Sequence, residues 1–556
     1  MTQLAVGPVA AAVTDTLLAS LDPEQRAAAT LPDGPALIIA PAGSGKTTTL
    51  IARLGVLLAR GVPPERIAVA TFNRDAALEL SARIGARLAP TIPAAGRIEV
   101  RTLHALARQV VLDGGQAGRL VSDRLPLLRT VLRRSATTAA PDDPPLPDAA
   151  ALDTEISAWK VERRAPQHRE LVDAYRAMLA STGAVDFDDL VVGAADALES
   201  DPRLRLRWQG RFTHLCVDEF QDVDAAQLRL VRLLAEPQRN LFVVGDDDQT
   251  IYAWRLADVR RILSFEALYP GTHRVQLATN YRCPAPVVAI SRRLIGTNRE
   301  RFVKRIDPSP AAGGDPDTIL AYPTTDDGWP DGLVGLAAAE TDARRTVCFL
   351  ARTRSELGPM LLALARAGVP HTTAVPAAAQ ADSVQRLVTA ARGLPGHLAP
   401  FEALLGLRAG HGWRRADAND SLSDDDHAAL DALLGWAVGI ARLDRFLEAY
   451  DRAVARLEAL RRPDAAIELV TVHGAKGREW QTVVVLGMEE DRFPNRRALV
   501  DAADPARAIE EERRLAYVAL SRATRRLILA YDPARPSRFL GEMGIGPTGR
   551  PGARPP

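Results

Sequence analysis

Short uninterrupted apolar runs alternate along the chain with longer stretches of helical periodicity. Ala36–Ala40, Ile67–Thr71, His214–Val217, Leu241–Val244, Val347–Leu350 and Val483–Leu486 are the runs. Runs this short and apolar read as strands. Thr48–Ala59 is one of the helical stretches. Strands alternating with helices imply βαβ units, so the expected fold class is α/β with parallel sheets. Ser135–Asp148 is rich in Pro and Asp and reads as a loop, as does Asp307–Asp317. Residues 1–20 lack structure signals and are expected to be a flexible leader. Residues 546–556, rich in Gly and Pro, are expected to be a disordered tail.

Composition narrows the picture modestly. A chain of 556 residues suggests about three or four domains. With 47% apolar and 25% charged residues, it is an ordinary globular sequence rather than a disordered one. No apolar run approaches the ~18 residues of a membrane span. The start lacks the basic region of a secretory signal, so the expected location is the cytoplasm. Cys216, Cys283 and Cys348 are scattered without a CxxC pair, which argues against a disulfide framework and a zinc ribbon. The net charge of +1 still allows a nucleic-acid binder, because a local basic groove suffices. Of the 70 basic residues, the lysines are Lys46, Lys160, Lys304 and Lys476, and the rest are arginine. This bias fits a GC-rich genome and makes each remaining lysine worth inspecting.

The strongest chemical signal is Ala40-Pro41-Ala42-Gly43-Ser44-Gly45-Lys46-Thr47, between a strand and the helix that begins near Thr48. Small residues in that context let backbone N–H groups cradle phosphates at a helix N-terminus. Lys46 is the candidate to neutralise the terminal phosphates, and Thr47 to hold Mg²⁺. The alternative is a Gly-rich turn with a chance GKT. Asp218 and Glu219 end the strand around Cys216. There Asp218 can complete the Mg²⁺ shell and Glu219 can activate water. In the segment Val243–Arg255, Gln249 can sense a γ-phosphate or position a water. Tyr252, Trp254 and Arg255 offer stacking faces beside a cation, which suits a single strand. Two core aromatics are the alternative.

Taken in order, these motifs resemble a superfamily 1 DNA helicase of the UvrD/Rep/PcrA group, over nearly the whole chain. The resemblance implies two RecA-like P-loop motor domains with parallel sheets, each interrupted by a mainly helical insertion. Residues 21–105 and 211–282 would form the first motor domain and 106–210 its insertion. Residues 283–373 and 463–545 would form the second, with 374–462 as its insertion. ATP and Mg²⁺ are the implied cofactors. ATP would lie between the lobes. Residues 40–48, with Gln25 on the adenine edge, Tyr281 stacked on the base and Glu479 near the ribose, would bind it. Arg282 and Arg522 would reach the γ-phosphate. Phe72, Asn73, Thr102 and His104 in the first lobe, and Thr471 and His473 in the second, would line the DNA with Tyr252, Trp254 and Arg255. The segments Ile156–Lys160 and Val185–Leu190 resemble the family's first insertion and read as structural.

The chain departs from the family pattern in places. Residues 374–462 are a short insertion with 11 Arg against 12 Asp and Glu. They lack the Gly-Ile-Gly duplex contact; Gly544-Ile545-Gly546 lies elsewhere. Thr48 replaces a frequent arginine, Leu256 a glycine and Arg478 a leucine. No room is expected for a fused nuclease. The implied activity is a 3′–5′ translocase that unwinds duplex DNA in repair, replication or recombination, with single strands and duplex junctions as partners. The competing reading is a DNA-stimulated translocase that works with a repair or anti-phage protein partner and unwinds weakly alone. An inactive ATP-binding scaffold is the third.

Overall fold

The computed structural model describes residues 16–115, 118–138, 146–325, 329–374, 380–413, 422 and 424–546. The chain divides into two compact units. One comprises Met1–Tyr281 with Arg299–Ser309, the other Arg282–Asn298 with Pro310–Pro556.

The first unit is built on six strands: β1 (Ala36–Ile39), β2 (Ile67–Thr71), β3 (Glu99–Thr102), β4 (His214–Val217), β5 (Leu241–Gly245) and β6 (His273–Gln276). Their order is β3-β2-β4-β5-β1-β6, and every pairing is parallel. Parallel strands need covered crossovers, so both faces carry cores. Alternate residues of one strand feed opposite cores. Leu37 and Ile39 pack with Leu106, Val110 and Phe265. Ala36 and Ile38 pack with Leu50, Leu54 and Leu80 on the other face.

The helices Leu125–Thr138, Ala149–Glu162 and Arg169–Ser181 build a satellite core around Leu152, Ile156 and Tyr175. Here the two segments that looked structural from sequence meet. Lys160 Nζ lies 2.7 Å from Asp186 Oδ2 and 2.7 Å from Asp189 Oδ1. Ser157 donates to Asp188 at 2.7 Å, and Tyr175 donates to Asp186 at 2.7 Å. Burial opposes ionisation of Asp186, yet the Lys160 charge holds its carboxyl well below the usual range. Asp186 also caps the helix Phe187–Ser200.

The second unit carries β7 (Ile319–Pro323), β8 (Val347–Ala351), β9 (Thr372–Thr373), β10 (Ile467–Thr471), β11 (Trp480–Val485) and β12 (Ala523–Tyr531). The order is β7-β12-β11-β8-β10-β9, again wholly parallel. The α/β expectation therefore holds for both sheets. Between β9 and β10, the helices Asp382–Ala391, Pro400–Gly410, Asp424–Ala437 and Leu443–Leu460 share a separate core of Leu387, Leu404, Leu430 and Phe446. No helix among the described residues is long and apolar enough to cross a membrane.

Three local expectations change. Of the expected leader, 1–15 lie outside the described residues, while 16–19 are helical. Leu17 and Leu18 pack against the first unit's cores. The expected loop from Ser135 begins late, because its helix runs to Thr138. Asp307–Pro308, read as loop, pairs with Thr279–Asn280. Of the expected tail, 547–556 lie outside the described residues.

Replacing Lys160 by Met strands the Asp186 carboxylate in a buried site. Urea unfolding should show a loss of about 3 kcal/mol or more. An unchanged midpoint would mean that the ion cluster carries no net stability.

Candidate nucleotide site and nucleic-acid interface

In a parallel sheet all strands end on the same edge, and loops leaving that edge form the binding crevice. The first unit follows this rule. The P-loop leaves β1, Phe72 follows β2, His104 follows β3, Asp218 follows β4 and Asp246 follows β5.

The P-loop is anchored below and behind. Ala40 N donates to Gly245 O at 2.9 Å. Asn280 Nδ2 donates to Ala42 O at 2.9 Å, and Tyr281 N to Gly43 O at 2.8 Å. Gly43 (φ 73°) and Gly45 (φ 81°) are left-handed, a conformation that glycine adopts without steric cost. Gly45 begins the helix Lys46–Ala59 without a side-chain cap, so its N-terminal dipole faces the loop. Lys46 Nζ donates to Ala40 O at 3.1 Å. Ser44 Oγ is buried with no partner among the described residues, and a Cβ on Gly45 would stand 2.5 Å from Gln25 Nε2. An orphaned hydroxyl and a cradle that tolerates only glycine are what a phosphate requires. Gln25 donates to Ser44 O at 3.0 Å and accepts weakly from Asp22 N at 3.3 Å. Tyr281, 49% exposed, has its hydroxyl 2.6 Å from Asp22 Oδ2 and leaves much of its ring open.

Thr47 and Asp218 offer a hydroxyl and a carboxylate, the oxygen ligands that Mg²⁺ takes when a nucleotide supplies the rest. Glu219 sits at φ 52°, an uncommon backbone for a side chain this long. Strain of that kind clusters at functional sites. Its carboxylate accepts from Gln221 Nε2 at 2.5 Å, and Gln221 Oε1 accepts from Asp246 N at 3.0 Å. Asp246 Oδ2 then accepts from Gln249 Nε2 at 2.7 Å. The acid candidate and the γ-phosphate candidate thus belong to one chain of hydrogen bonds, buried from Gln221 to Gln249.

Beyond Gln249 the polar chain gives way to aromatics. Tyr252 stacks on Phe72 with ring centroids 4.8 Å apart and planes 15° apart. Trp254 meets Tyr252 edge-on at 6.3 Å, and the Arg255 guanidinium covers Trp254 at 4.7 Å. Trp254 is 55% exposed, which sets aside the core-aromatic alternative for that residue. His104 meets the Phe187 ring edge at 5.5 Å, and burial lowers its pKa. Asn73 and Thr102 cap helices through Ala76 N and Ala105 N, so each already has a structural task.

In the second unit, three nucleotide candidates converge. Arg282 Nε donates to Glu479 Oε2 at 2.6 Å, and its Nη1 to Ser521 O at 3.4 Å. Arg522, next to Ser521, is 1% exposed. Its Nε donates to Val518 O at 2.9 Å and its Nη1 to Arg478 O at 3.2 Å. Glu479 and Arg522 stand at the amino ends of β11 and β12. Thr471 and His473 stand at the carboxyl end of β10, the opposite edge.

Gln221, Asn280 and Lys304 were missed by sequence reasoning. Gln221 and Asn280 lie inside quoted motifs but act through amide contacts that no spacing reveals. Lys304 had a signal: it is one of four lysines. Its Nζ is 2.6 Å from Asp246 Oδ1.

Gly45→Ala forces a Cβ into Gln25 and costs about 1–2 kcal/mol from the left-handed backbone alone. Affinity for a fluorescent ATP analogue should fall by about tenfold or more while circular dichroism stays unchanged. Unchanged affinity would remove the P-loop from the nucleotide site.

Known proteins match this chain closely enough to place it. The model of the UvrD/REP helicase N-terminal domain matches residues 21–270. The model of the UvrD-like helicase C-terminal domain matches residues 440–533. ATP-dependent DNA helicase PcrA of Leuconostoc citreum is 27% identical over 95% of this chain and 85% of its own. ATP-dependent DNA helicase UvrD2 of Mycobacterium tuberculosis is 29% identical over 97% and 83%. DNA helicase II of Escherichia coli K12 is 27% identical over 95% and 88%. The PcrA alignment spans 649 positions, so that relative carries more than a hundred residues with no counterpart in this chain of 556. Two matched domains in the expected order, and similarity along almost the full length, make the chain a member of the UvrD/Rep helicase family.

Proposed function

We propose that the protein is a cytoplasmic, ATP-driven DNA motor that moves 3′ to 5′ on single strands and opens duplexes, in repair, replication or recombination. One observation carries most of the weight. The Gln249 amide and the Tyr252–Trp254 aromatics share one short loop after β5, on the sheet edge that also bears the P-loop.

In this reading the Lys46 ammonium and the P-loop N–H groups hold the terminal phosphates. Thr47 and Asp218 hold Mg²⁺, which when bound neutralises phosphate charge. Glu219 accepts a proton from the attacking water, and Gln249 orients that water. Arg282 and Arg522 contribute positive charge to the transferring phosphoryl group. Arg522 must first exchange the carbonyl partners it holds at Val518 and Arg478 for phosphate oxygens. The Phe72–Tyr252 stack and Trp254 give bases sequence-tolerant faces, with cationic support from Arg255. His104, kept neutral by burial, suits a hydrogen bond to DNA rather than an ion pair. Asn73, Thr102, Thr471 and His473 are further contact candidates.

A second reading is a translocase that needs a repair or defence partner to unwind. The short helical segment between β9 and β10 and the residues missing relative to PcrA favour it. Duplexes with a 3′ tail, a 5′ tail or none separate the readings. Strand separation from the 3′ tail alone supports the autonomous motor. ATP turnover without separation supports the partner-dependent one.

Glu219→Gln should lower DNA-stimulated ATP turnover by about 10²–10⁴-fold, with nucleotide binding retained. Intact turnover in that variant would restore the scaffold reading. Tyr252→Ala with Trp254→Ala should weaken single-strand binding by about 1–3 kcal/mol per lost stack in fluorescence anisotropy and leave ATP affinity in place. Unchanged DNA affinity would take the aromatics off the track.

A further inference from the structure

Lys304 has no exposed side-chain surface, and neither do the three carboxylates around it. Its Nζ lies 2.6 Å from Asp246 Oδ1, 2.5 Å from Asp247 Oδ1 and 2.9 Å from Asp248 Oδ2. The segment that carries it is extended. Phe302 points into the core, Val303 is 95% exposed, and Lys304 points in again. Phe302 N donates to Asp247 Oδ2 at 2.8 Å. Arg301 grips Asp248 with both arms, at 2.9 and 2.7 Å.

An ammonium is a compact point charge that three carboxylates can surround, whereas a planar guanidinium cannot be met equally from three sides. In a chain that otherwise uses arginine almost exclusively, the lysine here has a geometric reason. Burial raises Asp247 to about 6, with the Asp248 and Asp246 charges adding to the rise. Burial also opposes ionisation of Asp246, but the Lys304 and Lys46 charges outweigh it and hold that carboxyl at about 2. Asp246 is therefore held ionised by the charges of Lys304 and Lys46.

Asp246 is the shared piece. One of its oxygens takes Lys304 Nζ, and the other accepts from Gln249 Nε2 at 2.7 Å. Its backbone N–H donates to Gln221, which in turn donates to Glu219. Arg301, by contrast, places its two hydrogen bonds on Asp248.

We propose that Lys304 is a positioning residue for ATP hydrolysis: by clamping Asp246 it sets the Gln249 amide and, through Gln221, the Glu219 carboxylate. This rests on the hydrolysis reading given above. A cluster that only fastened residues 299–309 to the sheet would make Lys304 and Arg301 equivalent in their effect on turnover.

The test uses the full chain with single-stranded DNA. Lys304→Met is combined with Asp247→Asn so that the net charge of the cluster does not change, and Lys304→Arg is the milder second variant. Arg301→Met is the comparison. The expected result is a fall in kcat of about 10²-fold in whichever Lys304 variant melts as a folded protein, with the KM for ATP within about threefold of the parent. Arg301→Met should keep kcat even where its melting temperature drops. Adding Gln249→Ala to the Lys304 background should cost little further turnover, because both changes disable the same element. The proposal is overturned if a folded Lys304 variant keeps the parent kcat, if kcat tracks melting temperature equally in the Lys304 and Arg301 variants, or if the Gln249 change is fully additive. A parent protein without ATP turnover would instead overturn the hydrolysis reading itself.

Discussion

A parallel sheet covered on both faces leaves only its strand ends free for chemistry, and in the first unit the carboxyl ends carry nearly everything of functional interest. The strands β1, β2, β4 and β5 are buried along their whole length, so none of their side chains can reach a ligand from mid-strand. The P-loop, Phe72, Asp218, Glu219 and the loop after β5 lie together because each is the first irregular segment after a buried strand. The second unit divides the same architecture differently. Its nucleotide candidates sit at the amino ends of β11 and β12, and its DNA candidates at the carboxyl end of β10.

Two of the buried carboxylate clusters are centred on lysine, in a chain dominated by arginine. Lys160 and Lys304 each sit among carboxylates from separate segments. Lys46 opens the P-loop helix. Such clusters contribute less to net stability than to specificity, because desolvating the ions offsets most of their attraction. What they specify is local. One joins the helix Ala149–Glu162 to the start of the helix Phe187–Ser200, and the other meets Asp246.

Much of this was legible in the chain. The runs Ile67–Thr71 and His214–Val217 coincide with β2 and β4, because short, largely apolar runs leave a covered strand few alternatives. The P-loop was legible because its glycines answer to backbone geometry rather than to distant partners. The strand around Val483 begins earlier than expected, at Trp480. Trp480 is held from outside the pattern, by a hydrogen bond to Glu468. Contacts between segments far apart in sequence were not legible. Lys304 and Asp246 are 58 positions apart, and composition singles out the lysine without naming its partners. Asn73 and Thr102 show a further limit, since a polar residue before a helix satisfies a capping rule whether or not it also meets DNA.

The central claim is that one loop after β5 serves both the nucleotide and the single strand. The most direct measurement is ATP turnover by the intact protein with and without saturating single-stranded DNA. A marked rise in kcat on adding DNA is the predicted result, because DNA against Tyr252 and Trp254 bears on the segment that positions Gln249. Equal turnover with and without DNA, in a protein that demonstrably binds both, would contradict that coupling.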